Sequence, residues 1–153
     1  MLPFILSSSA ALFLSLLGTV LVNAFLRARI PFLGAFAGLE RSVNPGIAFG
    51  VRLPVILQAA LTALALIIVF ILAWKGRQSR FRQAAFGLIA GGALGNIIDR
   101  IPDGLVTDFI QVGTFPVFNV ADSCITIGVG LLLVESLRYT PNPYGHQLPR
   151  ARR

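Results

Sequence analysis

Four long apolar runs, Phe4–Leu26, Leu53–Trp74, Ala84–Ile98 and Pro116–Leu137, constrain this chain of 153 residues more than any other feature. A helix needs about 20 predominantly apolar residues to cross a hydrocarbon core of about 30 Å. The first, second and fourth runs meet that length. The third is short and glycine-rich, and reaches it only by recruiting Phe81–Gln83 and Asp99, giving a span over 81–99. Composition agrees: 56% of residues are apolar, 12% are charged and the mean hydropathy is +0.81, which excludes an ordinary water-soluble domain and a disordered chain. The expected fold class is an all-α membrane protein. Its four transmembrane helices form one domain over 1–138, with a small extracytoplasmic loop or β segment between the first two helices. Residues 139–153 read as a basic, disordered cytoplasmic tail. Met1-Leu2-Pro3 lacks a basic n-region and the first run is longer than the ~7–15 residues of a signal-peptide core, so it reads as a retained span.

The net charge of +7 comes from thirteen Lys+Arg, twelve of them arginine, against six acids. The cations cluster between apolar runs, as topology signals do, and this argues against nucleic-acid binding. Lys75, Arg77, Arg80 and Arg82 share one loop, and Arg138, Arg150, Arg152 and Arg153 sit at the C-terminal end; Arg27, Arg29, Arg41, Arg52 and Arg100 lie on the other side. The eight-to-five bias places both termini in the cytoplasm, with loops 27–52 and 99–115 outside. The tail arginines are positioned for anionic headgroups. Cys124 is the only cysteine and His146 the only histidine, the latter in the tail. That excludes an internal disulfide, a Ser/Cys–His nucleophile in the spans and any metal cluster of familiar spacing, so neither metal nor cofactor is expected.

The acids are few enough to take singly. Glu135 has Arg138 three residues on as a partner, Glu40 reads as a solvated pair with Arg41, and Asp103 belongs to the turn Ile101-Pro102-Asp103-Gly104. Asp122 opens the fourth run. Asn119 as N-cap with Asp122 three residues later is a capping-box variant, a structural role compatible with a chemical one. Asn119, Asp122 and Thr126 share one helix face; Gly92, Asn96 and Asp99 share another, and Gly87, Gly91 and Gly95 suit close helix packing. Asp108, flanked by apolar residues in Val106-Thr107-Asp108-Phe109-Ile110, suits a half-buried extended segment that folds back onto the start of the fourth helix. Two converging carboxylates are the minimum equipment of aspartic-protease chemistry. The rival class is a small proton or cation channel or transporter subunit using Asp99 and Asp122, and a packing protein built on the glycine-rich span is a third reading.

Asn44-Pro45-Gly46-Ile47-Ala48-Phe49-Gly50, Gly91-Gly92-Ala93-Leu94-Gly95-Asn96-Ile97-Ile98-Asp99-Arg100, Val106-Thr107-Asp108-Phe109-Ile110 and Phe115-Pro116-Val117-Phe118-Asn119-Val120-Ala121-Asp122 together resemble the lipoprotein signal peptidase family, signal peptidase II. The resemblance implies an intramembrane aspartyl endopeptidase of the bacterial inner membrane. Its substrates would be prolipoproteins carrying a diacylglyceryl group on cysteine, cut just before that cysteine, and the enzyme would act as a monomer among membrane lipids. By position, Asp108 and Asp122 match the family's catalytic pair. Asn44, Asn96, Arg100 and Asn119 match its other polar active-site positions, and Asp99 a structural residue beside them. The chain departs from the family at two places. Asn23 and Arg27 stand where the family commonly has an acid and a lysine, and the link from Gly50 to Pro54 is short.

For such a site the expected chemistry is attack by water, with two close carboxylates sharing one proton. Asp122 at a helix N-terminus gains about 0.3–1 kcal/mol as the anion and suits the base. Asn44 and Asn119 suit an extended peptide or the tetrahedral oxygens, and Arg100 suits carbonyl or lipid oxygens. Asn44-Pro45-Gly46 reads as a turn followed by a short strand.

Overall fold

The computed structural model describes residues 1–46 and 54–138. The chain runs through α1 (Leu2–Phe25), β1 (Ile30–Leu33), β2 (Ala37–Asn44), α2 (Val55–Lys75), α3 (Arg80–Arg100), β3 (Val106–Val112), β4 (Phe115–Phe118) and α4 (Val120–Arg138). Three helices, α1, α2 and α4, are long and apolar enough to cross a membrane. They leave large apolar side chains such as Phe13, Leu14, Ile56, Ile68, Phe70 and Leu133 exposed, a surface that water would not tolerate and lipid covers.

Helix α3 is different in kind. It carries Arg80, Arg82, Asp99 and Arg100, it buries Gly91, Gly92 and Gly95 against α1 and α4, and its buried Gln83 donates to Ala73 O of α2. Its glycines allow that central place. A Cβ on Gly95 would come within 2.7 Å of Ser15 Cβ on α1, and one on Gly92 within 2.5 Å of the Ala121 carbonyl on α4. The small-residue series thus serves packing on both flanks. Ser15, buried at the α1 seam, satisfies its hydroxyl on its own helix by donating to Ala11 O at 2.7 Å.

At one end of the helices lies an antiparallel sheet in the order β1-β2-β3-β4. The all-α expectation is therefore corrected: the molecule is mostly helical with a four-stranded sheet. A β segment was expected between α1 and α2, and β1 and β2 fall there. The other two strands come from the α3–α4 connection, and β4 takes Pro116, Val117 and Phe118 out of the fourth apolar run, so α4 begins only at Val120. Hydropathy does not separate a short apolar strand from a helix. Pro116, which has no N–H to donate, suits the sheet edge that β4 forms. Gly113, at φ +55°, makes the β3–β4 turn and donates its N–H to Phe36 O at 2.6 Å, tying the two hairpins together. Ser42 faces Asp108 across β2 and β3, and the register is irregular between Leu39 and Ser42. Val22, Leu26 and Phe109 form the core that joins sheet to helices.

Two expected ion pairs are replaced. Glu135 accepts from Arg82 Nε at 3.0 Å and Ser79 Oγ at 3.2 Å, because the start of α3 packs beside the end of α4. Glu40 lies 3.9 Å from Arg29 Nε, whereas Arg41 donates to Asn23; neighbours on a strand point to opposite faces. The Ile47–Gly50 part of the first motif with its expected strand, the short link to Pro54, and the tail with His146 lie outside the described residues.

Candidate active site

The polar network at the sheet end is built outward from the start of α4. Asn119 Oδ1 accepts the Asp122 N–H at 2.9 Å and Asp122 Oδ2 accepts the Asn119 N–H at 3.3 Å, the reciprocal cap read from the sequence. With its oxygen committed to the helix, the Asn119 amide must turn its Nδ2 the other way. That nitrogen donates to Asp108 Oδ1 at 2.8 Å and to Asn96 Oδ1 at 3.0 Å. The same reasoning orients Asn96, whose remaining Nδ2 donates to Asp122 Oδ1 at 2.9 Å. On the far side, Asn44 Oδ1 accepts the Gly46 N–H at 2.9 Å, closing the expected turn, and its Nδ2 donates to Asp108 Oδ2 at 3.1 Å. Both carboxylates are thus held by a continuous set of asparagine amides from β2, α3 and the α4 cap. Asn119 touches both of them.

Asp108 and Asp122 line one cavity of about 630 Å³, together with Asn44, Asn96 and Arg100 on its polar side and Val106, Phe115, Phe118, Ile125 and Ile127 on its apolar side. Asn119 stands behind, 4% exposed. Asp108 is 2% exposed. Desolvation is the largest influence on it and pushes its pKa up to about 6; the Asn44 bond opposes this, the nearby Asp122 adds to it, and the Asn119 bond and the Arg100 charge oppose it. Arg100 donates through Nη2 to Gly46 O at 2.6 Å and through Nη1 to Asn96 O at 3.5 Å, so it braces the end of β2 against α3. Among the described residues no group of three His, Cys, Asp or Glu is placed to hold a metal ion.

Asp99 is not brought to this cavity. Its Oδ2 accepts the Thr107 N–H at 2.6 Å, and it lines a separate hollow behind β3. Thr107 and Asp108 alternate across the strand, one to each side. Asn23 also lies behind β3: it donates to Thr107 Oγ1 at 3.2 Å and accepts from Arg41 Nε at 2.8 Å. Sequence reading missed Thr107 and Arg41 as members of this support, although alternation along Val106-Thr107-Asp108 was the available signal. The Phe115 and Phe118 cavity wall is not legible in the sequence either, because hydropathy places Phe115 in a loop and Phe118 in a helix. Asp103 is where its turn requires, accepting the Leu105 N–H at 2.9 Å.

The family model for signal peptidase (SPase) II matches residues 10–138. The chain belongs to the signal peptidase II family. A lipoprotein signal peptidase of Shouchella clausii is 38% identical over 126 residues, covering 77% of this chain and 80% of its own length. One from Chlorobium luteolum is 40% identical over 122 residues, covering 70% and 72%. A bacterial membrane enzyme solved by the in meso method at 2.3 Å superposes with a TM-score of 0.82 at 28% identity, covering 95% of this chain and 94% of its own. As a signal peptidase II, the chain is an aspartic peptidase and a multi-pass membrane protein. Every residue of the amide and carboxylate network lies inside the stretch that matches signal peptidase II.

Proposed function

We propose that Asp108 and Asp122 are the catalytic pair of this peptidase, and that it cuts prolipoproteins just before a diacylglyceryl-modified cysteine. The carrying observation is that the two carboxylates line one cavity and are tied to the same residue, Asn119. Asp122, at the N-terminus of α4, takes a proton as water attacks the scissile carbonyl carbon. Asp108, whose desolvation favours the protonated form by raising its pKa to about 6, donates to the carbonyl oxygen in that form. Collapse of the tetrahedral species breaks the C–N bond, Asp122 passes its proton to the departing amine, and Asp108 regains its own as the carbonyl re-forms. No covalent intermediate is required. Asn44 and Arg100 orient the extended peptide at the cavity mouth, Asn96 and Asn119 hold the carboxylates, and Asp99 fixes the β3 backbone from behind. The apolar wall from Phe115 to Ile127 receives acyl chains.

The membrane arrangement we propose is supported by the apolar helices and the cation bias. Three apolar helices face lipid, and α3, shielded by α1 and α4, crosses as the fourth span despite its charged ends. Lys75–Arg82 lies in the cytoplasm with both termini, the sheet lies at the extracytoplasmic face of a bacterial inner membrane, and residues 1–138 act as a monomeric unit followed by a basic tail. A proton pathway would need carboxylates through the membrane depth; here Asp99, Asp103, Asp108 and Asp122 gather at the sheet end.

The test is cleavage of a purified diacylglyceryl-modified prolipoprotein by wild type, Asp108→Asn and Asp122→Asn. Each variant is expected to lose about 10³-fold or more in kcat/KM. Folded variants that cleave at the wild-type rate would sink the assignment.

A further inference from the structure

Behind β3, on the face away from Asp108, lies the second hollow, of about 610 Å³. It is bounded by the sheet-side ends of α1 and α3 and roofed by β2 and β3. Its charged lining is Arg27, Arg41, Asp99 and Asp103. Arg27 makes no hydrogen bond or ion pair among the described residues. Arg41 spends only Nε, on Asn23, which leaves both terminal nitrogens of its guanidinium unengaged among those residues. Each carboxylate spends one oxygen on a backbone N–H, Asp99 on Thr107 and Asp103 on Leu105. Neither arginine forms an ion pair with either aspartate among the described residues, although all four line the same space. Unlike charges held apart across a hollow offer both signs to a ligand that carries both.

The rim says what carries them. Phe25, the last residue of α1, is 76% exposed and Ile101, just past α3, is 74% exposed. These residues adjoin Leu26 and Pro102, which line the hollow. A ligand seated there therefore has its polar part among the charges and an apolar surface leading away along the helices.

We propose that this hollow binds the headgroup of a zwitterionic phospholipid. The phosphate ester sits on Arg27 and Arg41, whose forked donors match its oxygens, and the amine sits on Asp99 and Asp103. The acyl chains run past Phe25 and Ile101. The lipid would press on Thr107, the neighbour of Asp108 on β3, and so brace that strand from the side opposite the cavity. The lipid site does not rest on the peptidase reading of Asp108 and Asp122.

The experiment is native mass spectrometry of the full chain released from detergent after addition of dioleoyl phosphatidylethanolamine, dioleoyl phosphatidylglycerol, dioleoylglycerol or inorganic phosphate. Wild type is expected to retain one phosphatidylethanolamine, more firmly than phosphatidylglycerol. Arg27→Gln, which breaks no internal bond among the described residues, is expected to weaken that retention about fivefold, and the double variant with Arg41→Gln further. Asp103→Asn is expected to erase the preference for phosphatidylethanolamine over phosphatidylglycerol. Unchanged retention in Arg27→Gln, or equal retention of dioleoylglycerol, would overturn the proposal. Displacement of the lipid by millimolar inorganic phosphate would overturn it in favour of a soluble anion.

Discussion

Glu135 and Asp108 are carboxylates at opposite ends of the molecule, one on a helix-packing seam and one on a strand of the sheet, and they are met in opposite ways. Glu135 is met by a full charge: Arg82 Nε lies 3.0 Å away, and Ser79 adds a hydroxyl. Asp108 is met at both oxygens by neutral amides, Asn44 and Asn119, inside a desolvated pocket. An arginine cancels a carboxylate and fastens two helices. Amides hold a carboxylate still without cancelling it, so burial keeps its proton available near pH 6. The first arrangement is a clasp and the second is a tool.

Removing the amides is the strongest way to break that contrast. Asn119→Ala deletes the donor to Asp108 and the cap of α4 together, and is expected to lower kcat/KM about 100-fold. It should also destabilise the fold by about 0.5–2 kcal/mol, read by thermal melting in detergent. If Asn119→Ala keeps its rate but melts lower, the cap is its whole role.

The next effect is smaller and continuous. The folded-state pKa of Asp108 is raised to about 6, so its protonated form is fully present well below that pH and is lost as pH rises through it. A profile of kcat/KM against pH, which reports the free enzyme, is expected to break near pH 6 and then fall about tenfold per unit. A flat profile between pH 5 and 8 would separate Asp108 from the rate. Least of all is expected from the clasp. Glu135→Gln breaks a partly exposed ion pair, worth at most about 1 kcal/mol, and should leave kcat/KM within about twofold of wild type.

Much of this was legible because charge is scarce in an apolar chain. The three apolar spans, the Asn119–Asp122 cap and the glycine packing of α3 all follow from local periodicity, which a helix repeats faithfully, whereas Asp99, read on one face with Asn96, turns to Thr107 instead. The sheet was less legible. Phe115-Pro116-Val117-Phe118 has the hydropathy of a helix start, and only pairing with β3 makes it a strand. Ion pairs were the least legible feature. Glu135 chose Arg82 over its sequence neighbour, and Arg41 chose Asn23, since tertiary packing decides between partners that sequence spacing ranks equally.

The irregularity in β2 has a consequence for where function lies. Leu39 pairs with Ile110 but Ser42 pairs with Asp108, so β2 spends three steps where β3 spends two. The extra residue reverses the parity of everything after it. Even-numbered Ser42 and Asn44 then share the face of Asp108, while odd-numbered Arg41 and Val43 line the hollow behind. Regular pairing from Leu39 onward would exchange the two sets, setting Arg41 instead of Ser42 opposite Asp108 and turning Asn44 away. A charge would then meet Asp108, turning the tool into a second clasp while the strands remained paired.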